Sequence, residues 1–382
     1  MVWAHSKWVN TGHVVSSVSL LLPADVLLRG PQVLSHTIGL LVPLSGLMGV
    51  AGPAILNCAI LAAEETNDLA PTPIELVLLD AGRDAGVVAR EVGQLVDARL
   101  VDGLVGTHTS DVRASVESVL GDRVPYIFTP SHEVTRRESG AIFLGNDPDG
   151  QIRQPLTWIA NHRRVGRWAL IGNDYVWPRR VHSSASRILR GLHQRVVMER
   201  LVPVGGVDVP ELVDAARAAR VDAMLVSLVG RDLIEFQRGL VDVGAEGQFV
   251  RLCTALDENC LVSAGGDASG GLFAAMPSYI SQADDRHLRL LEAYVSRFGA
   301  SAPLPGSFAE GCYDGVNILA VLLGSGLLSS STPGGAIGQL FAGEGRAKRM
   351  PARYRQLGIR RPVVLAQAVD TELYVVGDEQ GR

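Results

Sequence analysis

The residues of this chain best suited to chemistry are hydrogen-bonding side chains at the ends of apolar runs: Ser110, Thr129, Tyr175 and Trp177. Ser110 stands where a strand-end loop enters a helix, so its hydroxyl and the neighbouring backbone N–H groups can hold a carbonyl oxygen in the positive field of the helix N-terminus. Thr129 closes the next apolar run and can bond an amide group, with Pro130 fixing the turn beside it. Tyr175 and Trp177 offer flat faces for a planar guest, and the phenol adds one directed hydrogen bond. Each has a plainer role open to it: a serine N-cap, a threonine bonded within its own loop, an aromatic pair packed on the core.

Groups for covalent chemistry are missing. There is no G-x-S-x-G elbow, no HExxH and no G-x-x-x-x-G-K-[ST], and the Gly-rich turn at 43–52 departs from G-x-G-x-x-G. The only lysines are Lys7 and Lys348, which removes a P-loop lysine and argues against a Schiff base. Cys58, Cys253, Cys260 and Cys312 are dispersed, with no CxxC pair and no histidine at zinc-ligand spacing, so they read as small core residues in a reducing compartment. The expectation is binding without catalysis, and neither metal nor cofactor.

Elements that place these residues can be read from hydrophobic periodicity. From His36 short apolar runs alternate with helical patterns, the signature of βαβ units and a parallel sheet. Strands are expected at 38–42, 74–79, 103–105, 125–128 and 142–144. Helices are expected around 54–62, with Pro53 in the first turn, around 87–96, and after Ser110. After Gly150 the alternation restarts, with a helix near 151–162, strands at 168–171, 196–202, 223–228 and 249–252, and helices at 182–192, 210–219 and 231–242. Further helices are expected at 284–298 and 308–324, and terminal strands at 363–369 and 373–376. The Arg-rich segment 343–361 reads as a solvated loop. Two successive α/β halves imply two doubly wound lobes, whose strand ends flank a cleft.

The chain has 382 residues, 47% of them hydrophobic, enough for two domains of ordinary size. A net charge of -5 leaves no basic excess for phosphates, so nucleic acid is not expected as a direct partner. No apolar run approaches the ~20 residues of a membrane span. In residues 1–35 the run Val18–Leu22 is cut off by Pro23 and Asp25 and no compact basic start precedes it, so a cytoplasmic address is expected, with export as the alternative.

Several short pieces resemble the type I periplasmic-binding fold. The run Gly39 to Gly46 with Gly49, Gly52 and the helix ending Ala62-Ala63-Glu64-Glu65-Thr66-Asn67 is similar to the opening βα unit of that family. Leu79 to Asp84, Gly106 to Ser110, Phe128-Thr129-Pro130 and Gly145-Asn146-Asp147 are similar to its later loops, and coverage runs from about residue 36 to about 325. The loop Gly172-Asn173-Asp174-Tyr175-Val176-Trp177-Pro178-Arg179 resembles that of amide sensors controlling amidase operons and of urea-binding transport proteins, while His108 and Ile127 stand where the amide sensors usually show tyrosines.

The resemblance implies a multi-strand hinge, with residues 36–149 and 277–333 in one lobe, 150–276 and 334–382 in the other, and 1–35 as an extension. It implies further cleft residues at Val229, Gly230, Thr254 and Asp257, the last able to pair a ligand ammonium, and His108 as a pocket residue. The expected guest is a short aliphatic amide or urea, held by fully paired hydrogen bonds in a dry cleft. The expected role is a ligand sensor acting on an antiterminator-like regulatory protein. Its alternative is the substrate-binding component of an ABC permease for urea, short amides or branched-chain amino acids. A homo-oligomer stays open.

Overall fold

The computed structural model describes residues 18–32, 34–133, 141–329 and 361–376. In chain order the elements are β1 (Leu20–Leu21), α1 (Pro23–Arg29), β2 (His36–Val42), α2 (Gly52–Asn67), β3 (Ile74–Asp80), α3 (Ala85–Asp97), β4 (Gly103–Gly106), α4 (Ser110–Leu120), β5 (Tyr126–Phe128) and β6 (Ile142–Phe143). There follow α5 (Pro148–His162), β7 (Arg167–Asn173), α6 (Val176–Gly191), β8 (Arg195–Val202), α7 (Val209–Ala218), β9 (Ala223–Ser227), α8 (Gly230–Asp242), β10 (Val250–Cys253), α9 (Glu258–Ala264) and β11 (Leu272–Met276). The chain then runs through α10 (Asp285–Phe298), α11 (Ser307–Gly324), β12 (Val364–Val369) and β13 (Glu372–Val375).

Two sheets organise these elements. The first has the order β1-β3-β2-β4-β5-β6 with every described pairing parallel. The second has the order β13-β12-β11-β10-β9-β7-β8, parallel except for β12 and β13. Both sheets are covered on two faces, which is why their strands read as continuous apolar runs. In β2, Ile38, Leu40 and Val42 face α2 and α11, whereas Leu41 faces α3 and α4, the two-residue period of a strand. In the second sheet Ala169 and Ile171 pack with α7 and α8, and Trp168 and Leu170 with α5 and α6.

The segment read as an extension joins the first lobe. Leu20 and Leu21 pair with Leu76 and Val77, and Val26 of α1 is buried in the core beside Val77 and Val88. Helices α10 and α11 return to cover the first sheet, with Leu290, Tyr294, Val316 and Leu319 against α2. β12 then pairs with β11 in the second sheet. The chain thus crosses between lobes after β6, after β11 and again before β12. The Arg-rich segment lies outside the described residues except for Arg361, which is half-buried and paired with acids rather than freely solvated.

Candidate functional site

The loops at the carboxyl ends of β4 and β5 supply one wall. Thr109 is the N-cap of α4 without a side-chain cap bond, so Ser110 is the first helical residue and is not the cap. The Ser110 hydroxyl, 3% exposed, takes no hydrogen bond among the described residues. Thr129 and Thr107 share a hydroxyl–hydroxyl bond of 2.6 Å. His108 Nδ1 lies 3.0 Å from the Thr109 carbonyl, and its Nε2 lies 2.9 Å from the Tyr126 phenol. A carbonyl only accepts, so Nδ1 carries the proton and Nε2 accepts from Tyr126. Burial lowers the His108 pKa to about 4, and the ring is neutral. A side chain at Gly106 would lie 2.5 Å from that Nε2, so only glycine lets the ring fold over the strand.

The opposite wall comes from the second lobe. Asn173 at the end of β7 donates to Asp232 at 2.6 Å and accepts from the Val229 N–H at 3.0 Å, which fixes the start of α8 against that of α6. Tyr175 is the N-cap of α6 and burial pushes its phenol well above the ordinary value, so it stays protonated. Trp177 in the first turn of α6 is 5% exposed, and its Nε1–H is buried without a partner. Thr254 donates to the Val226 carbonyl at 3.3 Å, and its own carbonyl accepts from Gln151 of α5 at 2.7 Å.

A cavity of about 60 Å³ lies between the two walls. His108, Ser110, Thr129, Pro130, Tyr175, Trp177, Val229 and Thr254 all line it, bringing together eight of the ten residues expected from the sequence. Two do not line it. Asp257 is 1% exposed and turns away to cap α9, accepting from the Cys260 N–H at 2.9 Å, so no carboxylate there can meet a ligand ammonium. Gly230 serves a contact between lobes: at φ +51° its Cβ position is 2.0 Å from the Leu47 carbonyl, and the Arg231 N–H donates to that carbonyl at 2.9 Å. Met48, from the same first-lobe loop as Leu47, is buried in the second lobe's core.

The sequence reading did not find the third wall, from α11 and the last crossing. Ser307, Phe308 and Asp314 of α11 line the cavity together with Arg361. The available signal was Glu310 and Asp314 inside an otherwise apolar helix, since buried carboxylates require cations. Arg286 bonds Glu310 at 3.0 Å and pairs Asp314, while Arg361 pairs Glu310 and bonds Asp314 at 3.0 Å. Burial alone would raise the Glu310 carboxyl, but Arg361, His287 and Arg286 hold it well below the usual range. Arg361 also accepts through its carbonyl from Asn146 at 2.9 Å and donates to Ser278 at 3.4 Å, so it touches all three crossings. Among the described residues no group of three or more His, Cys, Asp or Glu is placed to hold a metal ion.

Two α/β lobes closing over a small cavity lined from both sides define a solute-binding protein. The profile of the family described as periplasmic binding protein matches residues 35–327, and the chain belongs to that family. Among curated proteins none matches. An extracellular ligand-binding receptor from Rhodopseudomonas palustris HaA2 is 18% identical, with 90% of this chain and 100% of that chain covered and a TM-score of 0.73. A solute-binding protein of an ABC transporter from Rhodopseudomonas palustris BisB5, in complex with 3,4-dihydroxy benzoic acid, is 18% identical over 90% and 96% of the two chains, with a TM-score of 0.75. A branched-chain amino acid transporter substrate-binding protein from Streptococcus pneumoniae, in complex with isoleucine, is 16% identical over 90% and 99%, with a TM-score of 0.72. At these identities the likeness is one of fold.

The cytoplasmic address finds no support in these relatives. It rested on the interruption of Val18–Leu22, whose Leu20 and Leu21 are strand β1, and whose break at Pro23 is the first turn of α1. Among the described residues no helix is long and apolar enough to cross a membrane.

Proposed function

We propose that this protein is the substrate-binding component of an ABC importer, working outside the cytoplasm, that traps one small organic solute between its lobes and presents it to a permease. The observation that carries this reading is a cavity lined by strand-end loops of both lobes, with the Arg231–Leu47 bond holding the lobes together over it. A solute that touches both walls stabilises the closed form by its extra contacts there, which is what a permease can recognise. The related folds bound to 3,4-dihydroxy benzoic acid and to isoleucine support a small organic acid as guest.

The test is a thermal-shift panel of short amides, urea, amino acids and organic acids on dialysed protein. A solute at 100 times its dissociation constant adds about 2.7 kcal/mol. Tyr175→Ala should abolish the shift. Uptake of that solute by cells making the protein should fall when its gene is deleted. Unchanged uptake with binding intact would overturn transport and favour the sensor, while turnover of the solute would make the protein an enzyme.

A further inference from the structure

Resting on the solute-capture reading, we infer that the cavity takes a small monocarboxylate with an apolar or aromatic body and no ammonium group.

The sign of the charge comes from the helices. The first turns of α4, α6, α8 and α11 all reach the cavity, through Ser110, Trp177, Val229 and Ser307, and none of the four has a side-chain cap bond. By contrast α3, α5, α7, α9 and α10 are each capped by an aspartate, Asp84, Asp147, Asp208, Asp257 and Asp284, and none of those capped turns lines the cavity. The starts of α4, α6 and α11 favour an anion in the space between them, whereas at α8 the Val229 and Arg231 N–H groups are already taken by Asn173 and the Leu47 carbonyl. Two buried side-chain donors reinforce this: the Trp177 Nε1–H, which has no partner, and the Ser110 hydroxyl.

The exclusion of an ammonium comes from the charge inventory. Asp314 is the only carboxylate lining the cavity among the described residues, and Arg286 and Arg361 both pair it. Asp257 is turned into the α9 cap, and His108 is a neutral ring satisfied at both nitrogens. A zwitterionic amino acid would bury its ammonium without a counter-charge, a large cost in a closed cleft. The body is set by Met48, Leu144, Trp177, Met276, Phe308 and Ile318, which give the cavity an apolar lining.

Isothermal titration with three probes of one skeleton separates these terms: isovalerate carries the carboxylate, isovaleramide is its neutral counterpart, and valine adds the ammonium. Benzoate and benzamide repeat the comparison with a flat body. At least one acid should bind at least tenfold tighter than its amide, and isovalerate tighter than valine by the same margin. Ser110→Ala and Trp177→Phe, the second keeping the aromatic wall, should each weaken the acid by about tenfold, the scale of one hydrogen bond to a charged group. Circular dichroism checks that both variants are folded. Tighter binding of valine or of an amide would overturn the charge assignment and leave solute capture standing. If none of the five binds, the assignment is overturned, and the wider panel of amino acids and polar solutes then decides whether capture falls with it.

Discussion

Burial strips His108 of its charge, and this has a measurable cost at low pH. With its pKa lowered from 6.5 to about 4 in the folded chain, the unfolded chain binds the proton that the folded one refuses between those values. Stability is therefore full above pH 6.5, declines as the pH falls from 6.5 to about 4, and changes no further below that on account of this group. His108→Gln should shrink the loss of urea midpoint between pH 7 and pH 4.5. An unchanged loss would assign the acid sensitivity elsewhere, for instance to His182, whose pKa burial also lowers. At this scale the sequence was readable wherever a residue sat at a strand end before a helix, as Ser110 and Tyr175 do. Asp257 sits there too, but an aspartate before a helix serves a ligand and an N-cap through the same oxygens. Only the bond from the Cys260 N–H to its Oδ1 decides for the cap.

Helix α11 carries two buried acids across the lobe boundary and depends on a residue far along the chain. Arg361 compensates Glu310 and Asp314 and also meets Asn146 and Ser278, so it joins the three crossings at one point. Arg361→Ala leaves those carboxylates with half their counter-charge and should lower unfolding stability by about 3 kcal/mol or more. A urea titration showing a loss under about 1 kcal/mol, the range of an exposed pair, would contradict that placement. The tie was invisible in the sequence because its members stand 51 residues apart, and the arginine-rich surroundings of Arg361 suggested solvent. Strand β11 and helix α9 also went unread. Leu272 to Met276 contains no β-branched residue and only Phe273 among strand-favouring types, so propensity gave a weak strand signal where burial makes one. Strands such as β2, β4 and β9 were legible because each is an apolar run bounded by turns and buried almost throughout.

The two-lobed plan was legible as a whole because the βαβ alternation simply starts twice. Its closure was not, since that depends on a backbone-to-backbone approach that leaves no mark in hydrophobic pattern. Gly230→Ala places a methyl where the Leu47 carbonyl lies 2.0 Å away and strains a left-handed residue, at about 1–2 kcal/mol. The ligand-free protein should lose about that much in urea unfolding, while solute affinity should fall by more than tenfold, because the closed form alone makes the contact. Equal affinity in the variant would show that binding does not require this approach. The loop that carries Leu47 also carries Met48, which lines the inner cavity and, with Thr109 and Tyr175, the outer groove of about 310 Å³ beyond it. A guest travelling between the two spaces must pass a loop pinned by the Arg231 N–H. Under the proposed capture role, dwell time would be limited by how often that pin lifts, so two solutes of different affinity would share one ceiling on their off-rate.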